Sequence, residues 1–124
     1  MPNSPVIAVV EDDAAMREAL SDLLEVTSFS CRTFDRAEAF LAECAPGRFD
    51  CLITDLHLPG ISGLELQQRL KALGVPIPVI IVTSSVDTVC RARAMQEGAL
   101  AYLTKPFNDK VLIGHVMTAL ERKG

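Results

Sequence analysis

Four short apolar runs of this chain end in residues whose types suit phosphate chemistry. Glu11-Asp12-Asp13 follows VIAVV, Asp55 follows CLIT, Thr83-Ser84 follows VIIV, and Lys105-Pro106 follows AYLT. Carboxylates crowded into one place repel one another and raise each other's pKa unless a cation joins them. Mg2+ meets that need, because it takes oxygen ligands octahedrally, typically one or two carboxylates completed by water and phosphate oxygens. Lys105 by itself neutralises only one charge. Thr83 and Lys105 are suited to hold the oxygens of a transferred phosphoryl group. A carboxylate such as Asp55 is a recognised nucleophile toward phosphorus, and Ser84 adds a second hydroxyl beside Thr83. Two other phosphate-binding devices are missing from the sequence, the G-x-x-x-x-G-K-[ST] loop and the G-x-G-x-x-G turn. The acidic stretch after the first run would repel a bare phosphate, so an anion arriving here is recruited through a metal.

These residues meet only if the runs lie side by side. Five apolar or alternating runs recur, Pro5–Val10, Phe29–Phe34, Phe49–Thr54, Pro78–Thr83 and Leu100–Thr104, each followed by a helical segment. VIAVV, CLIT and VIIV are continuous and rich in β-branched residues, as strands buried on both faces must be. Phe29–Phe34 mixes in Ser, Arg and Thr and suits an edge strand. Asp13 is a natural N-cap ahead of the stripe Met16, Leu20, Leu23 and Leu24, and Asp35 with Glu38 resembles a capping box. Leu66, Leu70 and Leu73 form the next stripe, with Gly74 at a C′ position. Thr88–Glu97 is the least amphipathic helix, ended by Gly98. Asn108 can cap the last one, which carries Leu112, Val116 and Leu120. Alternating strands and helices with short connections imply an α/β fold, a parallel sheet with right-handed crossovers and helices on both faces. The expected architecture is a flavodoxin-like doubly wound (βα)5 fold with a five-stranded sheet in the order 2-1-3-4-5. Its ligands bind beyond the carboxyl ends of the strands, beside the switch point between strands 1 and 3.

Composition narrows the alternatives. The chain has 124 residues, 49% of them hydrophobic and 23% charged, with a formal net charge of −4. That length suits a single domain over residues 1–124 with no separate output domain. The acidic balance argues against direct nucleic-acid binding. No apolar run approaches the ~20 residues that a membrane helix needs, and Val6–Val10, with no basic region before it and no small-residue cleavage site after it, does not read as a signal peptide. A cytoplasmic location is therefore expected. Cys31, Cys44, Cys51 and Cys90 are spaced by 13, 7 and 39 residues. That is neither a zinc pattern nor the framework of a small secreted domain, so they read as small buried hydrophobes.

VVEDD at 9–13, DLHLPGISGLEL at 55–66, PVIIVTSS at 78–85 and EGALAYLTKPF at 97–107 together resemble the receiver domain of two-component response regulators, from Pro5 to about Leu120. The resemblance implies that Asp55 is the phosphoacceptor, taking a phosphoryl group from a histidine kinase or a small phosphodonor. It implies Mg2+ held by Glu11, Asp12, Asp55 and the backbone carbonyl of His57, with Thr83, Ser84 and Lys105 around the phosphate. It further implies an inward turn of Tyr102 that alters the surface of helix 4, strand 5 and helix 5. A downstream protein, an output domain or a second protomer would read that surface. The Lys105–Pro106 peptide is expected to be cis. Such a domain turns over no metabolite and is not an enzyme in the ordinary sense.

Blander readings exist for several of these residues. Asp13 is better explained as a helix cap than as a ligand. Thr83 can be a β-forming strand terminus, Tyr102 ordinary core packing, and His57 a solvated loop residue. Acids ending two buried central strands have no comparable structural excuse. Two other functions use the same residues: a Mg2+-dependent phosphohydrolase with an aspartate nucleophile, and a receiver-like binding module indifferent to phosphate. The first usually wants an aspartate two residues after the nucleophile, where this chain has His57.

Overall fold

A computed structural model describes residues 5–123. Five strands alternate with five helices: β1 (Val6–Val10), α1 (Ala14–Val26), β2 (Ser30–Phe34), α2 (Ala37–Glu43), β3 (Cys51–Thr54), α3 (Gly63–Ala72), β4 (Val79–Thr83), α4 (Thr88–Gln96), β5 (Ala101–Thr104) and α5 (Asp109–Lys123). The strands form one parallel sheet in the order β2-β1-β3-β4-β5, as expected. β3 and β4 are buried along their whole length and β1 nearly so, while β2 alternates and lies at the edge.

Successive strand residues point to opposite faces and divide the core in two. Ile7 and Val9 pack with Leu20 and Leu24 of α1 and with Leu112, Val116 and Ala119 of α5. Ala8 and Val10 pack with Phe40 of α2, Leu66 and Leu70 of α3 and Ala94 of α4. Each fully buried Leu or Phe contributes about 1.5–3 kcal/mol, so two apolar layers grip the sheet and leave its strand ends for polar work. Of the four cysteines, Cys51 alone is fully buried; all are free thiols, and burial pushes Cys51 up to about 12.

The chain differs from its sequence expectations in local ways. Each strand begins one or two residues inside its apolar run. Pro5 and Pro78 have no N–H to give the ladder, although their carbonyls accept Ser30 and Leu52 amides at 2.9 Å. Asp35 does not cap α2. The helix starts one residue too late for it, with Arg36 at the cap position, and Asp35 pairs with the Arg36 side chain instead. Asp13 and Asn108 do cap α1 and α5. α4 gains an N-cap in Asp87, whose carboxylate accepts the Val89 and Cys90 amides.

Leu73 is 60% exposed, because α3 ends at Ala72 and the third position of its stripe falls off the helix. Gly74 takes φ +71, the Gly74 N–H donates to Lys71 and the Val75 N–H to Leu70, and Val75 packs on the core in place of Leu73. Gly98, at φ +101, ends α4 the same way through Ala99 N–H to the Ala94 carbonyl at 3.1 Å.

One core contact is imperfect. Gln67 of α3 is buried and donates its amide to the Ala94 carbonyl at 3.1 Å, while its own Oε1 has no partner among the described residues. Ala94 keeps its Ala99 bond without Gln67. Gln67→Leu, which removes the orphaned acceptor, is expected to stabilise the protein by about 1 kcal/mol, seen as a higher urea midpoint at unchanged slope.

Candidate functional site

Backbone ladder bonds continue one residue past the strands and carry three side chains to one edge of the sheet. The Glu11 N–H donates to Phe34 O at 3.0 Å, Asp55 N–H to Val10 O at 3.1 Å, and Lys105 N–H to Thr83 O at 2.8 Å. Glu11 and Asp55, at 2% and 8% exposure, are therefore held by neighbouring strands and cannot drift apart. Lys105 bridges them, with Nζ 2.7 Å from Glu11 Oε1 and 3.0 Å from Asp55 Oδ2. Its peptide bond to Pro106 is cis.

The remaining oxygens of the two carboxylates are also engaged. Glu11 Oε2 accepts the Asp13 N–H at 3.1 Å, and Asp55 Oδ1 accepts the His57 N–H at 3.1 Å. Asp12 differs: it is exposed, and among the described residues nothing hydrogen-bonds its carboxylate. Burial pushes the Glu11 carboxyl above its usual range, against the pull of Lys105 and the Asp13 amide. Burial also works against the Lys105 charge, but Glu11 and Asp55 together outweigh it and hold the ammonium above its ordinary value. The ion pair alone would lower Glu11, so its upward shift records how strongly the site is desolvated.

One oxygen from each of Glu11, Asp12 and Asp55 lies within 4.8 Å of the other two. Three hard carboxylate donors at that separation suit a divalent cation of the Mg2+ or Ca2+ kind. His57 itself is exposed, and Ser84 is exposed with no hydrogen bond to the cluster. Thr83 is fully buried and its Oγ1 accepts the Ser85 N–H at 3.3 Å. Tyr102, also buried, donates its hydroxyl to the Ser85 carbonyl at 3.3 Å, with the Arg91 guanidinium 5.7 Å from the ring centroid. Ser85 thus joins the strand-4 threonine to the strand-5 tyrosine.

Three residues of the site escape a sequence reading. Ser85 acts through its backbone. Arg17, one helical turn past Asp13, reaches back with Nη1 2.8 Å from the Glu11 carbonyl. Gly63 opens α3 against the Asp55 backbone: a Cβ there would collide with the Asp55 carbonyl oxygen and lie 2.9 Å from Leu56 Cα. A glycine just after the Ser62 N-cap was the one available signal, since close backbone approach is a standard reason for glycine.

This geometry agrees with the comparisons to known proteins. The family model for the response regulator receiver domain matches residues 7–117. The chain belongs to that family, the phosphorylation-dependent signalling switches of two-component systems. It is 40% identical over 117 residues to the transcriptional regulatory protein FixJ of Bradyrhizobium diazoefficiens, covering 94% of this chain and 57% of that one. To the response regulator protein TmoT of Ectopseudomonas mendocina it is 38% identical, covering 94% and 53%. The chain thus spans just over half the length of these relatives. Among solved structures it resembles the response regulator StyR (TM-score 0.91, 37% identity, 98% of this chain and 61% of that one). It resembles FixJ-N at a TM-score of 0.88 and 35% identity, covering 98% and 96%. No described helix is long and apolar enough to cross a membrane.

Three outcomes follow from the packing of two glycines and the charge of the site. Gly63→Ala is expected to cost about 1–3 kcal/mol and to shift the Asp55 and Leu56 amide resonances. Gly114→Ala in α5, where a Cβ meets nothing within 4 Å, is expected to gain about 0.5–1 kcal/mol. Because Lys105 is held above its ordinary 10.5, the stabilisation from its ion pairs is complete below that pH and lost as pH rises through the raised value. The stability difference between wild type and Lys105→Met should therefore stay level through neutral pH and shrink above 10.5.

Proposed function

We propose that Asp55 is the phosphoacceptor of this receiver domain and that Lys105, Thr83 and Asp12 serve the transfer. The observation that carries the reading is the Lys105 ammonium lying 3.0 Å from Asp55 Oδ2, beside the exposed carboxylate of Asp12. A carboxylate oxygen of Asp55 attacks phosphorus and forms the new P–O bond. The bond from phosphorus to the donor breaks, and its electron pair leaves with the donor, a kinase histidine or the carboxylate of an acyl phosphate. Lys105 neutralises charge on the phosphoryl oxygens, and the Thr83 hydroxyl turns from the Ser85 amide to bind one of them. Asp12 and Asp55, flanked by the Glu11 carboxylate and the backbone carbonyl of His57, would hold Mg2+, which when bound supplies further charge neutralisation. Ser84, at the exposed edge of the same loop, offers a hydroxyl to the phosphoryl group.

Release of Ser85 by Thr83 alters the residue to which Tyr102 is bonded, so the phosphorylated state is transmitted to α4, β5 and α5. A downstream protein, an output domain or a second copy of the chain reads that surface. FixJ is named a transcriptional regulatory protein and spans more sequence than this chain, which supports control of an output function of that type. A cytoplasmic location accords with a histidine-kinase donor.

Incubation with Mg2+ and acetyl phosphate is expected to add one phosphoryl mass to wild type and none to Asp55→Asn. A mass gain that persists in Asp55→Asn, or steady phosphate release from simple phosphoesters, overturns the assignment. The related DrrB receiver domain is described as BeF3-activated (33% identity, TM-score 0.86). Beryllofluoride is accordingly expected to shift the Thr83, Ser85 and Tyr102 resonances of this chain.

A further inference from the structure

The end of the sheet opposite the phosphorylation edge holds a cavity of about 500 Å3, between the last turns of α3 and α4 and the start of β4. Its origin is local. Ala94 is the one buried residue of α4, so that helix brings little bulk to the interface. Gly98 ends α4 at φ +101, where a Cβ would meet nothing within 4 Å. Pro76 and Pro78 have no N–H to join their segment to a neighbour, and the Ile77 N–H turns back to the Val75 carbonyl at 3.1 Å. The segment before β4 therefore lines the space without filling it. Leu70, Val75, Ile77 and Val79 give the cavity apolar walls.

One buried polar side chain stands in that lining. Gln67 is 3% exposed and gives its amide N–H to the Ala94 carbonyl, which already accepts the Ala99 N–H at 3.1 Å. Its Oε1 has no partner among the described residues, and a buried acceptor left unpaired is costly. A leucine at this position would avoid that cost. The terminal torsion of glutamine is soft, so the amide can turn its oxygen toward a donor in the cavity. The charges on the rim are matched to each other: Lys71 Nζ lies 3.2 Å from Glu97 Oε1, and Gln68 Nε2 donates to Glu97 Oε2 at 3.4 Å. Those contacts hold the Glu97 carboxyl below its usual range, so the rim calls for no charged ligand.

We propose that this cavity binds a small neutral molecule with an apolar body and a single N–H or O–H, which it donates to Gln67 Oε1. Apolar walls with a few polar groups that fix orientation are the usual form of a small-molecule site. The donor satisfies the orphaned oxygen, and because Gln67 is bonded to Ala94, the bound molecule links α3 to α4. The site lies apart from the acids, hydroxyls and lysine at the other end of the strands and does not depend on the phosphoacceptor reading.

Indole is the probe and benzofuran its match, equal in shape with an oxygen where indole carries the N–H. Both are titrated into the isotope-labelled full chain and followed by amide resonances. Indole is expected to shift, saturably, the side-chain amide of Gln67 and the backbone amides of Val75, Ile77 and Gly98. Benzofuran should bind at least about tenfold more weakly, because it leaves Oε1 unpaired. In Q67L, a change expected to keep the fold, the two probes should bind within about twofold of each other. Equal affinity of wild type for the two probes overturns the proposal, as does a preference for indole that survives in Q67L. The absence of saturable shifts at these residues up to the solubility of indole overturns it too.

Discussion

One ammonium group between two buried carboxylates governs the polar end of this protein. Glu11 and Asp55 are held side by side by β1 and β3 with almost no solvent, and burying either charge alone would cost several kcal/mol. Lys105 makes their joint burial tolerable, and it comes from β5, on the far side of β4. The ion pairs therefore tie the last strand to the first and third across the sheet. Removing the lysine would leave two carboxylates in mutual repulsion with no means of moving apart.

The backbone around this triad leaves little room for adjustment. Ladder bonds running one residue past β1, β3 and β5 fix the Cα positions from which the three side chains depart. Gly63 lets α3 start directly against the Asp55 carbonyl, so the segment after the acid turns at once into a helix. On the other side, Ser85 is bonded to Thr83 through its amide and to Tyr102 through its carbonyl. A displacement of the threonine hydroxyl thus has a short path to the aromatic ring, which packs beneath α4 with Arg91 across its face. The apolar layers take no part in this chemistry. They hold the sheet whose strand ends present it.

Much of this was legible in the residues. Continuous β-branched runs marked the central strands, the mixed run at 29–34 marked the edge, and Asp13, Asn108, Gly74 and Gly98 marked helix ends where they occur. Each of these signals acts within a few residues along the chain. The misreadings came where a neighbour in space took over. Asp35 looked like a cap but found Arg36, and α2 began beyond its reach. Leu73 continued a stripe on paper, but the Schellman turn at Gly74 handed its place in the core to Val75. Ser85 and Arg17 stayed hidden because each joins the site through a backbone atom, its own or that of Glu11, and Gly63 because the close backbone approach that requires a glycine is visible only in space.

The order of runs, their apolar character and the acids, hydroxyls and lysine at their ends are written in the sequence, because strand burial and strand-end placement follow from local periodicity. With the rule that parallel crossovers are right-handed, this was enough to assign the fold, the sheet edge and the residues that meet there. What each of those residues touches was decided only by the tertiary structure. Glu11 and Asp12 are adjacent acids, equivalent by type, yet one is sealed against Lys105 and the other faces water. The difference arises because side chains alternate across a strand end, and because Lys105, 94 residues away, reaches only one of the two.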